Sequence, residues 1–103
     1  ALTREWAVAL APYKIRVNCV IPAECLTDQY EQFFQTQTNP EATKKAIADL
    51  VPFAQRLTTP EEIAQTIVFL ASNRSSHTTG QFIFVDGGYT HFDRAVGHEH
   101  NKW

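Results

Sequence analysis

The chain has 103 residues, of which 9 are basic and 11 acidic, giving a formal net charge of -2 at pH 7. This balance provides no attraction to nucleic acid or to an anionic membrane surface, so neither is an expected partner. No apolar run approaches the roughly 20 residues that a membrane-spanning helix needs. The two cysteines, Cys19 and Cys25, are more typical of reduced thiols than of a disulfide framework. These properties predict a cytoplasmic domain without a membrane span.

Helical periodicity is present from the first residues of the chain. Leu2, Trp6 and Leu10 recur at helical spacing, which predicts an amphipathic helix over residues 1–13. Because no capping residue precedes this pattern, we expect the sequence to start inside a helix of a longer protein. Lys14 follows where a left-handed glycine or asparagine is usual, which predicts mild backbone strain at this lysine.

An apolar run then extends from Ile15 to Ile21. Its β-branched residues face both ways, which is typical of a strand in a parallel sheet that is covered on each side. Asn18 lies within the run and is expected to brace a neighbouring loop, because a buried amide needs partners. The run breaks at Pro22 and opens into a loop ending at Thr27. Since ligands of open α/β sheets bind beyond the carboxyl ends of the strands, this loop is the candidate binding site.

Helices are predicted between this loop and a second strand. Thr27 and Asn39 are N-cap residues for two short helices, and Pro52 ends the second of them. A longer helix starts at 59–62, where Thr-Pro-Glu-Glu forms a capping box with proline in the first helical position. The apolar run 82–85 predicts a second buried strand, parallel to the first because the helices form a crossover connection.

Three segments, in this order, resemble the C-terminal part of the short-chain dehydrogenase/reductase family: IRVNCVIPAECLT, TPEEIAQTIVFLAS and TTGQFIFVDGGY. The resemblance implies an α/β fold, the C-terminal portion of a doubly wound parallel-sheet (Rossmann-type) fold. It further implies an oxidoreductase that transfers a hydride between the nicotinamide of NAD or NADP and a secondary alcohol or ketone. The sequence is also similar to family members that oxidise sugars, such as fucose dehydrogenase-like enzymes.

The resemblance covers residues 1–94, which it implies are the C-terminal part of one NAD(P)-binding domain with a helical substrate lobe at about 27–52. The polar residues 95–103 are expected to form a flexible or partner-docked tail. The family's catalytic Tyr, Lys and Ser and its Gly-rich phosphate loop match nothing in these 103 residues. The sequence therefore contains no catalytic residue of the family, and we expect the chain by itself to be inactive.

The family's cofactor-binding roles carry over to four positions of the loop. Pro22 and Ala23 match the Pro-Gly turn that packs against the nicotinamide ring. The backbone of Cys25 faces the carboxamide, and the hydroxyl of Thr27 adds a hydrogen bond. Main-chain groups can orient an amide without placing a charge beside the hydride-transfer centre. Ala23 stands where the family has glycine, which puts a left-handed backbone at this position in question.

Four further residues are candidates for the substrate lobe. Glu24 either contacts a hydroxylated substrate or is a solvated loop carboxylate. Tyr30, Phe33 and Phe34 match the family's substrate-binding lobe, although an aromatic stripe at this spacing is more often packing than ligand contact.

His91, Asp93, His98 and His100 raise the question of a metal site, but a polar tail offers no fixed geometry, so no metal is expected. Neither cysteine has an evident base, so neither is expected to act as a nucleophile. The Asp-Gly-Gly sequence at 86–88 is interpreted as the end of a strand rather than as a cation-binding loop.

Two strands that are apolar on both faces cannot form a stable sheet by themselves. The expected partners are the remaining N-terminal segment of the enzyme or other copies of the chain, in a homo-oligomer, either a dimer or a tetramer. In tetrameric family members, the elements that match the helix at 59–71 and the strand at 82–85 form one dimer face, and the opening helix contributes to the other. The alternative function is a truncated, catalytically silent module for assembly or interaction.

Overall fold

In a computed structural model, the described residues 1–91 belong to two compact units. The first unit contains Ala1–Pro22 and Glu61–Val85, and the second contains Ala23–Pro60 and the described residues 86–91. The helices and strands of the described part are, in chain order, α1 (Leu2–Leu10), β1 (Cys19–Pro22), α2 (Asp28–Gln35), α3 (Pro40–Ala48), α4 (Pro60–Ala71) and β2 (Phe82–Val85). None of the helices described is both long enough and apolar enough to cross a bilayer.

The first helix is shorter than its periodicity predicts. α1 ends at Leu10, and the predicted remainder forms a 3-10 turn, Ala11–Tyr13, that contains Pro12. Lys14 follows with φ 60° and ψ 37°, which confirms the left-handed conformation expected at this position. The Lys14 N–H donates to the Ala11 carbonyl at 2.9 Å, so the turn closes without a glycine.

The strands are parallel, as predicted, but β1 is shorter than the apolar run from which it was predicted. The ladder pairs Cys19 with Phe82 and continues residue by residue through Pro22. Residues 15–18 stay outside the ladder because their backbone bonds to a loop instead. The Val17 carbonyl accepts from Gly80 N–H at 2.7 Å, and the Val17 N–H donates to Thr79 Oγ1 at 3.0 Å.

Side chains on the strands are only partly covered within the described residues, in line with the expectation that other chains or a further segment supply the covering elements. The residues of β1 and β2 are half-buried or exposed, and Phe84 is 49% exposed. The buried apolar residues are few: Ala7, Phe34, Val51, Leu57 and Leu70. A two-stranded sheet with open apolar faces needs further covering elements to be stable.

Arg16 lies just before β1, and its side chain bonds to the segment that follows α4. Its guanidinium donates to Ser75 Oγ at 3.0 Å, to the Ser72 carbonyl at 3.2 Å and to the Thr78 carbonyl at 3.3 Å. Ser75 is only 3% exposed. Three of the five guanidinium N–H donors are therefore used to hold this segment against the strand.

Asn18 braces the same loop, as predicted. Its side-chain amide N–H donates to the Thr78 carbonyl at 2.9 Å, and its side-chain carbonyl accepts from Gln81 N–H at 3.1 Å. Donor and acceptor of the amide are thus both satisfied by backbone groups, which explains how a polar residue is accommodated beside a strand.

The helices of the second unit begin where the capping residues predict. Thr27 Oγ1 accepts from Tyr30 N–H at 3.2 Å, and Asn39 Oδ1 accepts from Ala42 N–H at 3.2 Å. α3 ends at Ala48 rather than near Pro52, because the chain continues in tighter turns, with Val51 N–H bonded to the Ala48 carbonyl. α4 starts at Pro60, as expected from the capping pattern.

The sequence after β2 forms a turn, as interpreted from the Asp-Gly-Gly pattern. The Asp86 carboxylate is 6% exposed and accepts from the N–H groups of Gly88 at 2.9 Å and Thr90 at 3.1 Å. Burial raises the pKa of this carboxyl, but those hydrogen bonds and the nearby His91 outweigh it, so the pKa lies below its ordinary value. Gly87 has φ 62°, and a Cβ there would lie 2.6 Å from Val51 Cγ1. The carboxylate thus serves as the acceptor of a turn that requires glycine.

Predictions for Asp93, His98, His100 and the tail 95–103 concern positions outside the described residues.

Candidate functional site

The loop after β1 is held by a short parallel pairing with the residue two positions before α4. Thr58 N–H donates to the Glu24 carbonyl at 2.9 Å, and Leu26 N–H donates to the Thr58 carbonyl at 2.8 Å. Thr58 is 6% exposed. Sequence reasoning did not identify Thr58, because a single bridge residue leaves no periodic pattern. Its two bonds fix the backbone of the candidate binding loop.

Ala23 is compatible with its place in the loop. Among the described residues other than glycine, positive φ angles occur at Lys14, Ala54 and Gln55, and not at Ala23. The loop therefore needs no glycine here for its backbone conformation. Pro22 and Ala23 are both exposed, so their surfaces are available to a bound group.

Thr27 has a hydroxyl that remains able to donate. Its oxygen accepts the Tyr30 N–H as the cap of α2, while its proton has no acceptor within the described residues. The Thr27 N–H bonds to the Cys25 carbonyl at 3.0 Å, which links two of the predicted cofactor-binding positions. A hydroxyl donor on a fixed backbone suits the carboxamide of a nicotinamide.

Glu24 and Tyr30 form the shortest side-chain contact of the loop. The Tyr30 hydroxyl donates to Glu24 Oε2 at 2.6 Å. Burial, the hydrogen bond to Glu24 and the negative charge of Glu24, with a smaller effect from Tyr89, raise the pKa of Tyr30 to about 12. Tyr30 therefore remains a neutral donor throughout the physiological range, and both of these predicted substrate-lobe residues lie together.

The aromatic residues of α2 form one cluster with different roles for its members. The rings of Tyr30 and Phe34 stack at 4.8 Å between centroids with an interplanar angle of 15°. Phe34 is 1% exposed, whereas Phe33 is 44% exposed and meets both rings at 5.8 Å. The aromatic stripe thus includes one residue that is entirely packing, Phe34, and one that faces outward, Phe33.

The two cysteines lie within the described residues and form no disulfide. Cys19 belongs to β1, and Cys25 pairs with Thr58 in the isolated bridge.

Comparisons with known proteins identify the family. Residues 1–90 match a family model described as Enoyl-(Acyl carrier protein) reductase. The chain is 41% identical over 87 residues to the 3-oxoacyl-[acyl-carrier-protein] reductase FabG of Thermotoga maritima, covering 84% of this chain and 32% of that protein. It is also 41% identical over 88 residues to L-xylulose reductase of Bos taurus, covering 85% of this chain and 34% of that protein. The chain therefore spans about a third of the length of these curated relatives.

Solved structures agree with this assignment. The crystal structure of Cj0485 dehydrogenase matches with 50% identity and a TM-score of 0.88, covering 91% of this chain and 36% of that chain. A short chain dehydrogenase family protein from Francisella tularensis matches with 35% identity and a TM-score of 0.82, covering 88% of this chain and 39% of that chain. The chain accordingly has part of a Rossmann-type α/β fold and belongs to the short-chain dehydrogenase/reductase family of oxidoreductases.

Proposed function

We propose that this chain is the C-terminal portion of an NAD(P)-dependent oxidoreductase that acts on a secondary alcohol or ketone. The observation that carries the proposal is the loop from Pro22 to Thr27. It follows a parallel strand and is pinned by Thr58, and it belongs to a chain that matches the family over residues 1–90. Loops at the carboxyl ends of parallel strands are the usual ligand sites of such sheets.

The residues of the loop suit the nicotinamide end of the cofactor. Pro22 and Ala23 are exposed and would pack against the ring, and the backbone at Cys25 would hold the carboxamide. The Thr27 hydroxyl, whose proton has no acceptor in the described part of the chain, would donate to the carboxamide oxygen. When bound, the nicotinamide accepts or supplies the hydride that leaves or joins the carbinol carbon of the substrate.

The proton of the reaction requires groups that this chain does not contribute. Oxidation of an alcohol releases a proton from the hydroxyl together with the hydride from carbon, and in the family a Tyr with Lys and Ser handles that proton. No position of these 103 residues matches them. We therefore infer that this chain binds and orients the nicotinamide, and that catalysis needs an additional segment. The chain by itself is then inactive.

A sugar is the substrate class that we favour, of the kind oxidised by fucose dehydrogenase-like enzymes. Three relatives are named L-xylulose reductase, and one is named for an acyl carrier protein substrate. A carboxylate at Glu24, held by Tyr30, suits a hydroxylated substrate better than an acyl thioester.

Self-association in the cytoplasm completes the proposal. Trp6 on α1, Val68 on α4 and Phe84 on β2 are each about half exposed or more, at 53%, 66% and 49%. Apolar surface of this kind is suited to contact with other copies or with the remaining part of the enzyme. The absence of a disulfide between Cys19 and Cys25 fits a reducing compartment. A monodisperse monomer in size-exclusion chromatography would contradict the self-association.

The experiment compares two samples by the change in nicotinamide absorbance. The chain by itself is expected to give no turnover, and the chain joined to a family segment that supplies the Tyr, Lys, Ser and phosphate loop is expected to turn over. Turnover by the chain by itself overturns its inferred inactivity. A folded, joined protein that is inactive with every alcohol and ketone tested overturns the oxidoreductase assignment and favours a catalytically silent assembly module.

A further inference from the structure

Only one of the two carboxylate oxygens of Glu24 accepts a hydrogen bond within the described residues. Its Oε2 accepts the Tyr30 hydroxyl at 2.6 Å, and within the described residues no other donor lies within hydrogen-bond distance of either oxygen. Neither the ion pair of Lys44 with Glu31 nor that of Lys45 with Asp49 involves Glu24. A half-buried carboxylate thus offers a negative charge and one oxygen that no hydrogen-bond donor of the described residues occupies.

The side chain of Glu24 is held in position from two directions. Its own carbonyl is bonded to Thr58 N–H at 2.9 Å, which fixes the backbone. The phenol that grips the carboxylate is itself fixed, because Tyr30 stacks on the buried ring of Phe34 at 4.8 Å. A carboxylate restrained at backbone and head loses little conformational entropy when it binds a further donor.

The contact between Glu24 and Tyr30 is not needed to place the loop. Thr58 already holds the loop by two backbone hydrogen bonds, at 2.9 Å to Glu24 and 2.8 Å from Leu26. Thr27 separately anchors the start of α2 through its cap. The hydrogen bond between Tyr30 and Glu24 therefore orients the Glu24 side chain and is not required for the backbone conformation of the loop. This is expected of a side chain that contacts a ligand.

We propose that Glu24 determines substrate specificity by accepting a hydrogen bond from a hydroxyl of a neutral polyhydroxylated substrate, and that Tyr30 is the positioning residue that aims its carboxylate. This inference rests on the proposed function and assigns its substrate class. The charge of Glu24 excludes substrates with a carboxylate or phosphate at the same place, because a like charge in a partly buried site is repelled. The neutral phenol of Tyr30 keeps its proton directed to Glu24 across the working pH range.

The test uses the complete dehydrogenase that carries this chain, with three kinds of substrate. The probes are neutral pentoses and hexoses, the uronates that correspond to them, and a 3-oxoacyl thioester. The wild type is expected to turn over a neutral sugar and to discriminate against its uronate. Glu24→Gln removes the charge and is expected to lower kcat/KM for the neutral sugar on the order of tenfold, mainly through KM. The same variant is expected to reduce discrimination against the uronate.

Glu31→Gln is the matched control. Glu31 lies on α2, loses the same charge in the variant and pairs with Lys44 at 3.6 Å, away from the Tyr30 hydroxyl. Tyr30→Phe keeps the stacked ring and removes the hydroxyl donor. We therefore expect a smaller increase in KM for the neutral sugar than in Glu24→Gln, with kcat unchanged. Direct titration of Tyr30 by its absorbance gives a readout besides activity. In Glu24→Gln its pKa is expected to fall from about 12 toward the ordinary value of 10.0.

The outcomes separate this inference from the function on which it rests. Turnover by the wild type with only the uronate or only the thioester overturns the specificity assignment and leaves an oxidoreductase. The same conclusion follows if Glu24→Gln matches Glu31→Gln in its selectivity. No turnover with any of these probes overturns the inference. If simple secondary alcohols and ketones are then turned over, the proposed function stands, and if they are not, it is overturned as well. A loss in Glu24→Gln that Tyr30→Phe does not share overturns the positioning role of Tyr30.

Discussion

Polar side chains have different roles in the residues before β1 and in the residues after it in the sequence. Before the strand, Arg16 and Asn18 bond to the segment 72–81, and both polar ends of the Asn18 amide are satisfied there. After the strand, the side chains of Glu24 and Thr27 each make one hydrogen bond within the described residues and keep an acceptor or a donor without a partner there. Polar groups that are satisfied internally stabilise a fold, whereas oriented groups with remaining capacity can bind a ligand.

The largest expected effect concerns the aromatic support after the strand. Phe34→Ala removes a ring that is 1% exposed and should lower the free energy of unfolding by about 4 kcal/mol. Because Tyr30 stacks on this ring, the variant should also weaken the hold on Glu24. Urea denaturation measures the loss. Phe33→Ala, at a position 44% exposed, is the control and should cost about 1 kcal/mol. Equal losses in the two variants would show that the buried ring of Phe34 does not stabilise the aromatic cluster of α2 more than the exposed ring of Phe33 does.

A smaller effect is expected before the strand. Arg16→Ala removes three hydrogen bonds from a charged donor, one of them to the buried Ser75 hydroxyl, and should cost about 2 kcal/mol. The Thr78 carbonyl keeps its bond from Asn18, and the Ser72 carbonyl keeps its bond from the Ser75 hydroxyl. Urea denaturation again measures this cost. Arg74 is exposed and its guanidinium makes no hydrogen bond or ion pair within the described residues, so Arg74→Ala should change stability by less than about 0.5 kcal/mol. If the two sides of β1 are independent, Arg16→Ala leaves the titration of Tyr30 unchanged. A shifted Tyr30 pKa in this variant would contradict the separation.

The smallest effect is a pH dependence on the binding side. The pKa of Tyr30 is raised from its ordinary value of 10.0 to about 12 in the folded protein. A raised pKa means that the stabilisation is complete below about pH 10 and is lost as the pH rises to about 12. The difference in unfolding free energy between the wild type and Tyr30→Phe should therefore decrease over this interval. Urea midpoints of both proteins across the interval test it, and a difference that stays constant would contradict the contact with Glu24.

Local features were predictable from the sequence where their cause lies within a few residues. The caps at Thr27 and Asn39 bond to N–H groups three residues ahead, and Pro60 starts α4 by its own geometry. The left-handed turn at Lys14 follows from the end of a helix without glycine. Each depends on chemistry between neighbours in the chain, which the sequence displays directly.

Features that depend on distant partners were predicted less well. The run from Ile15 contributes only its second half to β1, because Thr79 and Gly80 take the backbone bonds of Val17. The extent of a strand is set by the residues opposite it, here more than sixty positions away in sequence. Apolar periodicity also extended α3 beyond Ala48, where the backbone tightens into turns.

For the candidate site, the sequence by itself determined which residues form the loop and, through three ordered motifs, the family to which it belongs. Only the tertiary structure decided that Thr58 pins this loop and that Tyr30 grips Glu24. The reason is physical: a motif records residue types in order, whereas the direction of a carboxylate depends on the backbone angles of the loop and on the ring packed behind its partner. The choice that the sequence left open for Glu24, between substrate contact and solvated carboxylate, thereby becomes a measurable one.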